Sequence, residues 1–154
     1  MPVRVQREDF DAGAEITRLR AADPRIGAVA AFIGVARDMN EGDAVATLTL
    51  EHYPGMTERA LEEICTQARQ RWQVAEVLVV HRIGELRPTD QIVLVVVTSA
   101  HRGEAFAACQ FVMDYLKTEA PFWKKEATAA GARWVDARDS DSDARERWKE
   151  TGNR

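Results

Sequence analysis

Cysteine is scarce in this sequence, and its two thiols follow no functional spacing. Cys65 and Cys109 are far apart and form neither a C-x-x-C pair nor a zinc-type set. Each lies among apolar residues at helical spacing, so we expect both to be buried as small hydrophobic side chains. The scarcity disfavours a disulfide framework.

Long apolar runs are also absent. No stretch approaches the roughly 18 apolar residues that suggest a membrane span. Residues 1–7 show no apolar signal segment. We therefore expect a cytoplasmic protein without membrane association.

An excess of positive charge is missing as well. The 21 basic and 25 acidic residues give a net charge of −4, which disfavours a nucleic-acid binder. The chain has no H-E-x-x-H motif, Walker A loop, dinucleotide glycine fingerprint or G-x-S-x-G nucleophile turn. His52 and His81 are not spaced as a metal pair, so we expect each to pack or to hydrogen-bond. We expect no metal and no other cofactor.

What the sequence does contain is the apolar patterning of a globular domain. The 154 residues are 45% hydrophobic and 30% charged, which suffices to bury a core. We predict strands at residues 3–5, 26–36, 45–53, 74–81, 91–98, 122–127 and 133–135, and helices at 11–22, 57–72 and 103–118. Thr57 is expected to cap the second helix, and Phe106 to be buried by the third.

Two hairpins are predicted from consecutive strands. Residues 38–43 would be the turn of the first, between strands 26–36 and 45–53, and a loop at Gly131 would join the last two strands. Hairpins mixed with helices predict an α+β fold with a mostly antiparallel sheet and packed helices. We expect one domain over residues 1–138 and a charged tail, helical or disordered, over residues 139–154.

Three polar clusters lie at the ends of predicted elements, where binding and catalytic groups tend to collect. They are residues 34–37, 99–102 and 117–126. In the second cluster, His101 and Arg102 precede a helix whose free N–H groups could bind an anion. Two solvated side chains at a helix start explain the same pattern equally well.

The third cluster carries most of the positive charge. Lys117 is expected in the last helical turn, where the helix dipole favours a cation by about 0.3–1 kcal/mol, a sufficient structural reason for it. Strand alternation places Lys124 and Glu126 on one face. They form either a surface pair of little energetic value or a carboxylate that tunes a lysine. These residues indicate a cationic pocket for a small anionic ligand and leave its chemistry open.

Four longer strings carry a family resemblance. They are LTLEHYPGMT at residues 48–57, HRIGEL at 81–86, TSAHR at 98–102 and MDYLKTEAPFWKKE at 113–126. In order and spacing they closely resemble the catalytic (large) subunit family of molybdopterin synthase, from about Gly27 to Trp148. Several long motifs that match together are far more specific than any short pattern.

The resemblance implies a fold, a reaction and partners. The family fold is α+β with an α/β-hammerhead portion. The family enzyme is a heterotetramer, in which a homodimer of catalytic subunits carries a small ubiquitin-like sulfur carrier at each end. The carrier's C-terminal Gly-Gly tail bears a thiocarboxylate, whose sulfur passes to cyclic pyranopterin monophosphate and forms the dithiolene of molybdopterin. No persulfide on this chain is then required.

The resemblance also implies roles for particular residues. Lys117 would be the central catalytic group, as a general acid or base or as a stabiliser of the carbonyl oxygen, and Lys124 the second catalytic lysine. The implied substrate contacts are Arg37, His101, Arg102, Lys125, Glu126 and Arg138, some of them supplied by the other catalytic subunit. Family members often carry lysine where this chain has Val35, followed by Ala36. A charged contact at Val35 therefore does not carry over, although the backbone of these two residues could still line the pocket.

Two other functions fit the same residues. The chain could be a docking module that binds the tail of a ubiquitin-like carrier without turnover. It could also be a regulatory domain that binds a nucleotide or another phosphate, but this function leaves the long motifs unexplained.

Overall fold

A computed structural model of the chain describes residues 2–40, 43–128 and 131–135, together with Glu146 and Trp148. The elements are, in chain order, β1 (Val3–Gln6), α1 (Ala12–Arg20), β2 (Ala28–Val35), β3 (Met39–Asn40), β4 (Asp43–His52), α2 (Met56–Arg71), β5 (Glu76–Arg82), β6 (Gly84–Leu86), β7 (Gln91–Ser99), α3 (Arg102–Glu119), β8 (Phe122–Thr128) and β9 (Gly131–Val135). This is the predicted α+β composition.

Four strands form a central sheet in the order β1, β5, β7, β2. β1 runs parallel to β5, and the other neighbours are antiparallel. β5 and β7 occupy the middle, and every side chain from Val93 to Ser99 is buried. A strand that is covered on both faces needs apolar residues throughout, which explains the unbroken apolar run of β7.

Helices cover both faces of the central sheet. Alternate residues of a strand point to opposite faces, so Val79 and Val95 join the core formed with Phe111 and the rest of α2 and α3. Val80 lies in the second core cluster, with Leu19 of α1. The hydrophobic core is thus two layers separated by β5 and β7.

A second, outer sheet is built around β4. One side of β4 pairs with β8, which in turn pairs with β9, and its other side pairs with β3 and β6. The predicted hairpin of the last two strands is therefore confirmed as β8 and β9. The chain passes from the central to the outer sheet between Arg82 and Gly84, whose φ is +90°. Glycine adopts such a positive φ without the steric cost that a Cβ brings.

The other predicted hairpin, between residues 26–36 and 45–53, is wrong. β2 pairs with β7, and β4 pairs with β8 in the other sheet. The polar segment after β2 folds Met39 and Asn40 back onto the first residues of β4, so part of the predicted turn is the short strand β3. Apolar alternation shows that one face of a strand is buried, but it does not specify the neighbouring strand.

The predicted cap of α2 is also wrong by two residues. Gly55, with φ +84°, is the N-cap, and its N–H donates to the Glu58 side chain at 3.0 Å. Thr57 lies inside the first turn and is fully buried. Its hydroxyl accepts from the Tyr53 N–H at 3.0 Å and donates to the Pro121 carbonyl at 3.1 Å. The hydroxyl therefore ties α2 to the segment that follows α3.

Phe106 was expected in the core of α3, but its side chain is 65% exposed. The helix buries Ala105, Ala108, Phe111 and Val112 most completely, so Phe106 lies at the margin of the buried stripe. Nothing in the described part of the chain covers it. Cys109, Val112, Met113 and Leu116 are buried as predicted.

The predicted tail, residues 139–154, falls mostly outside the described residues, and the domain boundary at residue 138 stays a prediction. Trp148 is described, and it packs edge-on against Trp72 and Phe111. Its indole N–H donates to the Asp114 carboxylate at 2.6 Å. The Arg71 guanidinium donates to the Trp148 carbonyl oxygen at 3.1 Å, so Trp148 contacts both α2 and α3. None of the described helices is long and apolar enough to cross a membrane.

Candidate active site

A pocket of about 380 Å³ opens where the two sheets meet the last turns of α3. Its apolar walls include Phe32 and Ile33 from β2, Leu48 from β4, and Met113 and Leu116 from α3. The ionisable side chains that line it, among the residues described, are Arg37, His81, Lys117, Lys124 and Glu126. Cations therefore outnumber carboxylates at this surface.

Two predicted lysines reach this pocket from different elements. Lys117 extends from the last turn of α3, where it also faces the negative end of the helix dipole. Lys124 extends from β8, opposite Leu50 of β4 in the ladder. The structure thus brings together the two residues that were predicted to be catalytic, and both side chains are accessible.

Glu126 lies two residues after Lys124 and faces the same pocket, as strand alternation predicts. It is buried, and its carboxylate lies 3.6 Å from Nε of Arg133 on β9. A buried carboxylate needs such a partner, because an isolated buried charge is costly. The predicted carboxylate is therefore part of the pocket wall and is not a solvated surface group.

The end of β2 supplies one cation and a rigid backbone. Arg37 lines the pocket, as do Val35 and Ala36. The Ala36 N–H donates to the Asp90 carbonyl at 2.9 Å, and its carbonyl accepts from the Thr89 N–H at 2.8 Å. Both polar groups of Ala36 are thereby engaged within the fold, and Val35 contributes an apolar side chain that is 47% exposed.

His101 and Arg102 do not line this pocket within one chain. They lie at the start of α3, whereas Lys117 lies in its last turn. At 1.5 Å per residue, Arg102 and Lys117 are separated by about 22 Å along the helix axis. Both are exposed, close to the exposed Phe106.

A further candidate, Lys125, does not line this pocket. Lys125 projects to the opposite face of β8, where its ammonium lies 5.8 Å from the centre of the Trp134 ring. An exposed contact of this kind is worth about 0.5–1 kcal/mol. Arg138 is outside the described residues.

His81 belongs to the pocket, which the sequence did not indicate. The predicted packing and hydrogen bonding are confirmed: the ring stacks on Phe122 at 3.8 Å, and Nδ1 lies 2.8 Å from the Arg82 carbonyl oxygen. Burial, reinforced by the nearby charges of Lys124 and Lys117, lowers the pKa of His81 from 6.5 to about 4. The HRIGEL string at residues 81–86 was the available signal.

The thiols are buried away from these groups. Burial raises the pKa of Cys65 to about 12 and that of Cys109 to about 11. Neither residue lines the pocket. Over the described ranges, no group of three or more His, Cys, Asp and Glu side chains could hold a metal ion.

The arrangement suits a particular kind of ligand. Arg37, Lys117 and Lys124 can bind anionic groups through charge-assisted hydrogen bonds. The apolar walls can hold a flat ring or the extended backbone of a peptide. A lysine amine in such a pocket can also move a proton or stabilise negative charge on a carbonyl oxygen.

Comparisons with known proteins identify the family. Residues 5–119 match the model of the MoaE protein family. The molybdopterin synthase catalytic subunit of Ralstonia nicotianae is 66% identical over 95% of this chain and 83% of its own length. The solved MoaE molybdopterin biosynthesis protein from Burkholderia ambifaria is 57% identical with a TM-score of 0.82, over 96% of this chain and 97% of that one.

A more distant solved structure shares the fold. It is a protein–protein complex of subunits 1 and 2 of molybdopterin-converting factor from Helicobacter pylori, with a TM-score of 0.73 and 17% identity over 90% of this chain and 92% of that one. The two-sheet α+β fold agrees with the family match and with the 66% identity. The chain belongs to the MoaE family of molybdopterin synthase catalytic subunits, enzymes that transfer sulfur in the formation of molybdopterin.

Proposed function

We propose that this chain moves sulfur from the C-terminal thiocarboxylate of a small ubiquitin-like carrier subunit to cyclic pyranopterin monophosphate. The observation that carries the proposal is the pocket of about 380 Å³, with Arg37, Lys117 and Lys124 beside apolar walls. Both reactants are anionic at neutral pH, one as a thiocarboxylate and the other as a cyclic phosphate. A cationic pocket favours the approach of both.

Lys117 and Lys124 have separate tasks in this proposal. The thiocarboxylate sulfur bonds to a carbon of the substrate in place of an oxygen, which leaves as water. A water molecule then adds to the acyl carbon, which releases the carrier as a carboxylate and leaves the sulfur on the substrate. Negative charge develops on the carbonyl oxygen during this addition, and the Lys117 ammonium stabilises it or supplies a proton. Lys124 holds the second anionic group and is kept in place by the β8 ladder. Arg37 contacts the substrate phosphate, and Glu126 forms the pocket wall with Arg133.

We propose further that the active assembly is a homodimer of this chain within a heterotetramer. His101 and Arg102 are exposed and far from Lys117 of their own chain. A position at the pocket of a second copy would give these two side chains a ligand and would cover Phe106 near them. The cytoplasmic location expected from the sequence stays a prediction.

Mixed dimers test the shared site. We expect Lys117→Ala and Arg102→Ala homodimers to be weak in sulfur transfer, because each substitution removes a required side chain from both sites of the dimer. A mixed dimer of the two variants has one intact site and regains activity. Inactive mixed dimers that assemble normally would contradict the shared site.

The transfer itself is tested under anaerobic conditions with two forms of the carrier. Carrier that ends in a thiocarboxylate should convert cyclic pyranopterin monophosphate to molybdopterin. Carrier that ends in an ordinary carboxylate should bind equally well and give no product. Binding of both forms without product from either would contradict the proposed reaction and leave a docking module.

A further inference from the structure

One edge of the central sheet is open where it meets the pocket. β2 is the last strand of that sheet, and in the part of the chain that the structure describes only one of its edges is paired, with β7. An open edge presents a row of backbone N–H and carbonyl groups to any extended chain that approaches it. The end of β2 lines the pocket, so this edge is a candidate binding surface inside the site.

The pocket meets β2 along its edge and not along one of its faces. Residues 32–37 all line the pocket, although successive side chains of a strand point to opposite faces. A pocket above one face would be lined by alternate residues only. β4 contributes in that alternate way, through Leu48 and Leu50, and so does β8, through Lys124 and Glu126. The pocket therefore lies between the edge of β2 and a face of the outer sheet.

The hydrogen bonds of β2 fix which backbone groups face the pocket. The Ala36 N–H donates to the Asp90 carbonyl at 2.9 Å, on the side of β7. Alternate residues of a strand direct their backbone groups to the same side. The N–H of Gly34 therefore also faces β7, whereas the N–H and carbonyl groups of Ile33 and Val35 face the open edge.

A β-bulge at this point leaves that alternation intact. Gly34 lies opposite Val93, and Val35 lies opposite Gln91. The additional residue, Ile92, therefore belongs to β7, and β2 itself continues without an insertion. The backbone groups of Ile33 and Val35 are thus two residues apart on one regular edge, which is the spacing that an added strand needs.

Side chains on both faces of β2 are exposed beside this edge. Phe32 is 39% exposed and Ile33 is 38% exposed, on opposite faces of the strand. Val35 is 47% exposed. An extended chain that pairs with β2 would cover apolar surface on both faces, in addition to its backbone hydrogen bonds.

The charge of the pocket favours one kind of chain. Arg37 lies two residues beyond the end of β2, and Lys117 and Lys124 line the same pocket. Cations at the end of such a slot bind a terminal carboxylate through charge-assisted hydrogen bonds. The occupant that fits both features is the C-terminal end of an extended peptide.

We propose that the edge of β2 at Ile33 and Val35 binds the C-terminal tail of the carrier as an additional strand, in which alternate tail residues bond to these two backbones. Recognition of this kind depends on the main chain of the peptide, and it therefore suits a tail that ends in Gly-Gly. The identity of the peptide rests on the proposed function. Binding does not require sulfur transfer, so carrier that ends in an ordinary carboxylate is a sufficient probe.

Amide hydrogen exchange, read by NMR, tests the pairing. We expect the amides of Ile33 and Val35 to exchange quickly in the free protein and at least about 10-fold more slowly when the carboxylate form of the carrier is bound. Gly34 is the internal control, since its N–H faces β7 and should exchange slowly in both states. Unchanged exchange at Ile33 and Val35 with bound carrier would overturn the proposal. Slow exchange at both in the free protein would also overturn it, because another segment or a second copy would then occupy the edge.

Proline substitutions test the same groups through affinity. Val35→Pro removes the N–H, whereas Val35→Ala keeps it, and an edge strand tolerates proline where its N–H faces outward. We expect the Kd for the carrier to be about 10-fold higher in Val35→Pro than in Val35→Ala. Ala31→Pro is the matched control, because Ala31 faces the same open edge but does not line the pocket, and should stay within about threefold of the wild type.

Equal Kd values for folded Val35→Pro and Val35→Ala would overturn the proposal, and hydrogen exchange decides the case if Val35→Pro does not fold. Protection of Ile33 and Val35 by a carrier that yields no product in its thiocarboxylate form would contradict the proposed reaction and leave this binding mode in place.

Discussion

Lys124 and Lys125 are adjacent in sequence and belong to different surfaces. Lys124 lines the pocket, whereas Lys125 lies over the Trp134 ring on the other face of β8. Strand geometry alone produces this separation, because successive side chains point to opposite faces. Substituting one lysine at a time changes the net charge equally and at nearly the same place in the sequence. A difference in activity between the two variants therefore reflects the face of β8 on which the side chain lies.

We expect Lys124→Ala to lower kcat/KM about 100-fold or more, because a charge-assisted contact to the reacting groups is lost. Lys125→Ala should stay within about threefold of the wild type, since an exposed cation–π contact is weak. Steady-state molybdopterin formation measures both. Equal losses in the two variants would show that the pocket is not the site of the reaction.

The sulfur chemistry should not need the thiols of this chain. Cys65 and Cys109 are buried, and burial raises the pKa of both thiols, to about 12 and about 11. Thiolates are the reactive form, so both residues should be inert near pH 8. The double variant Cys65→Ala/Cys109→Ala should keep its kcat while losing about 1–3 kcal/mol of unfolding free energy. A folded double variant without transfer activity would contradict this account.

Some residues of the site could be predicted from the sequence, and others could not. Helical and strand periodicity, together with the family motifs, predicted that Lys117, Lys124 and Glu126 belong together, and they line one pocket. His81 was missed there, because periodicity shows that a residue is buried and not that a pocket opens beside it. Phe106 was wrongly assigned to the core because its spacing from Cys109 and Met113 fits a buried stripe.

At the scale of elements, a single hydroxyl connects α2 to the segment that carries the lysines. Thr57 bonds to the Tyr53 N–H and to the Pro121 carbonyl, between the end of α3 and the start of β8. Lys117 and Lys124 lie on either side of that segment. The contact therefore helps to hold the two lysines at a fixed separation.

Thr57→Val retains the shape of the side chain and removes both hydrogen bonds. Because Thr57 is fully buried, we expect the variant to lose about 1–3 kcal/mol of unfolding free energy. Thr57→Ser keeps the hydroxyl and should lose less. Urea unfolding of the two variants, read by circular dichroism, makes the comparison, and the expectation fails if Thr57→Ser is the less stable of the two.

Element positions were predicted better than element neighbours. Apolar periodicity located α1, α2, α3 and the long strands, because burial of one face is a local property of the sequence. The pairing of β2 with β7 joins residues 28–35 to 91–99 and depends on packing between distant segments. Only the β8–β9 hairpin, which needs a short loop, was predicted with its partner.

At the scale of the whole molecule, His81 makes stability depend on pH. Its pKa is about 4 in the fold, against 6.5 for an ordinary histidine. Between these values the unfolded chain binds a proton that the folded chain does not. The unfolding free energy therefore keeps its full value above about pH 6.5. It falls as the pH drops from 6.5 to 4, by up to about 3 kcal/mol in all.

We expect the unfolding free energy to decline between about pH 6.5 and pH 4.5, and to decline less in His81→Phe. Asp9, whose pKa is lowered mainly by the Gln91 side chain, acts below this window and does not obscure it. Urea titrations at several pH values supply the measurement. Identical slopes for both proteins would show that His81 titrates normally in the fold.

Two residues at the start of α3 bear on the proposed assembly. His101 and Arg102 carry a family motif, yet they lie at the far end of α3 from Lys117. A sequence pattern identifies such residues without saying which copy of the chain they serve. The proposed homodimer gives them a site.

The most direct test of the account is a single-turnover transfer assay under anaerobic conditions with carrier thiocarboxylate and cyclic pyranopterin monophosphate. Wild type and Lys117→Ala are compared, and carrier binding and folding are verified for both. We expect molybdopterin from the wild type and at least about 100-fold slower formation from a folded, carrier-binding Lys117→Ala. Product at the wild-type rate from Lys117→Ala would contradict the central role of this lysine.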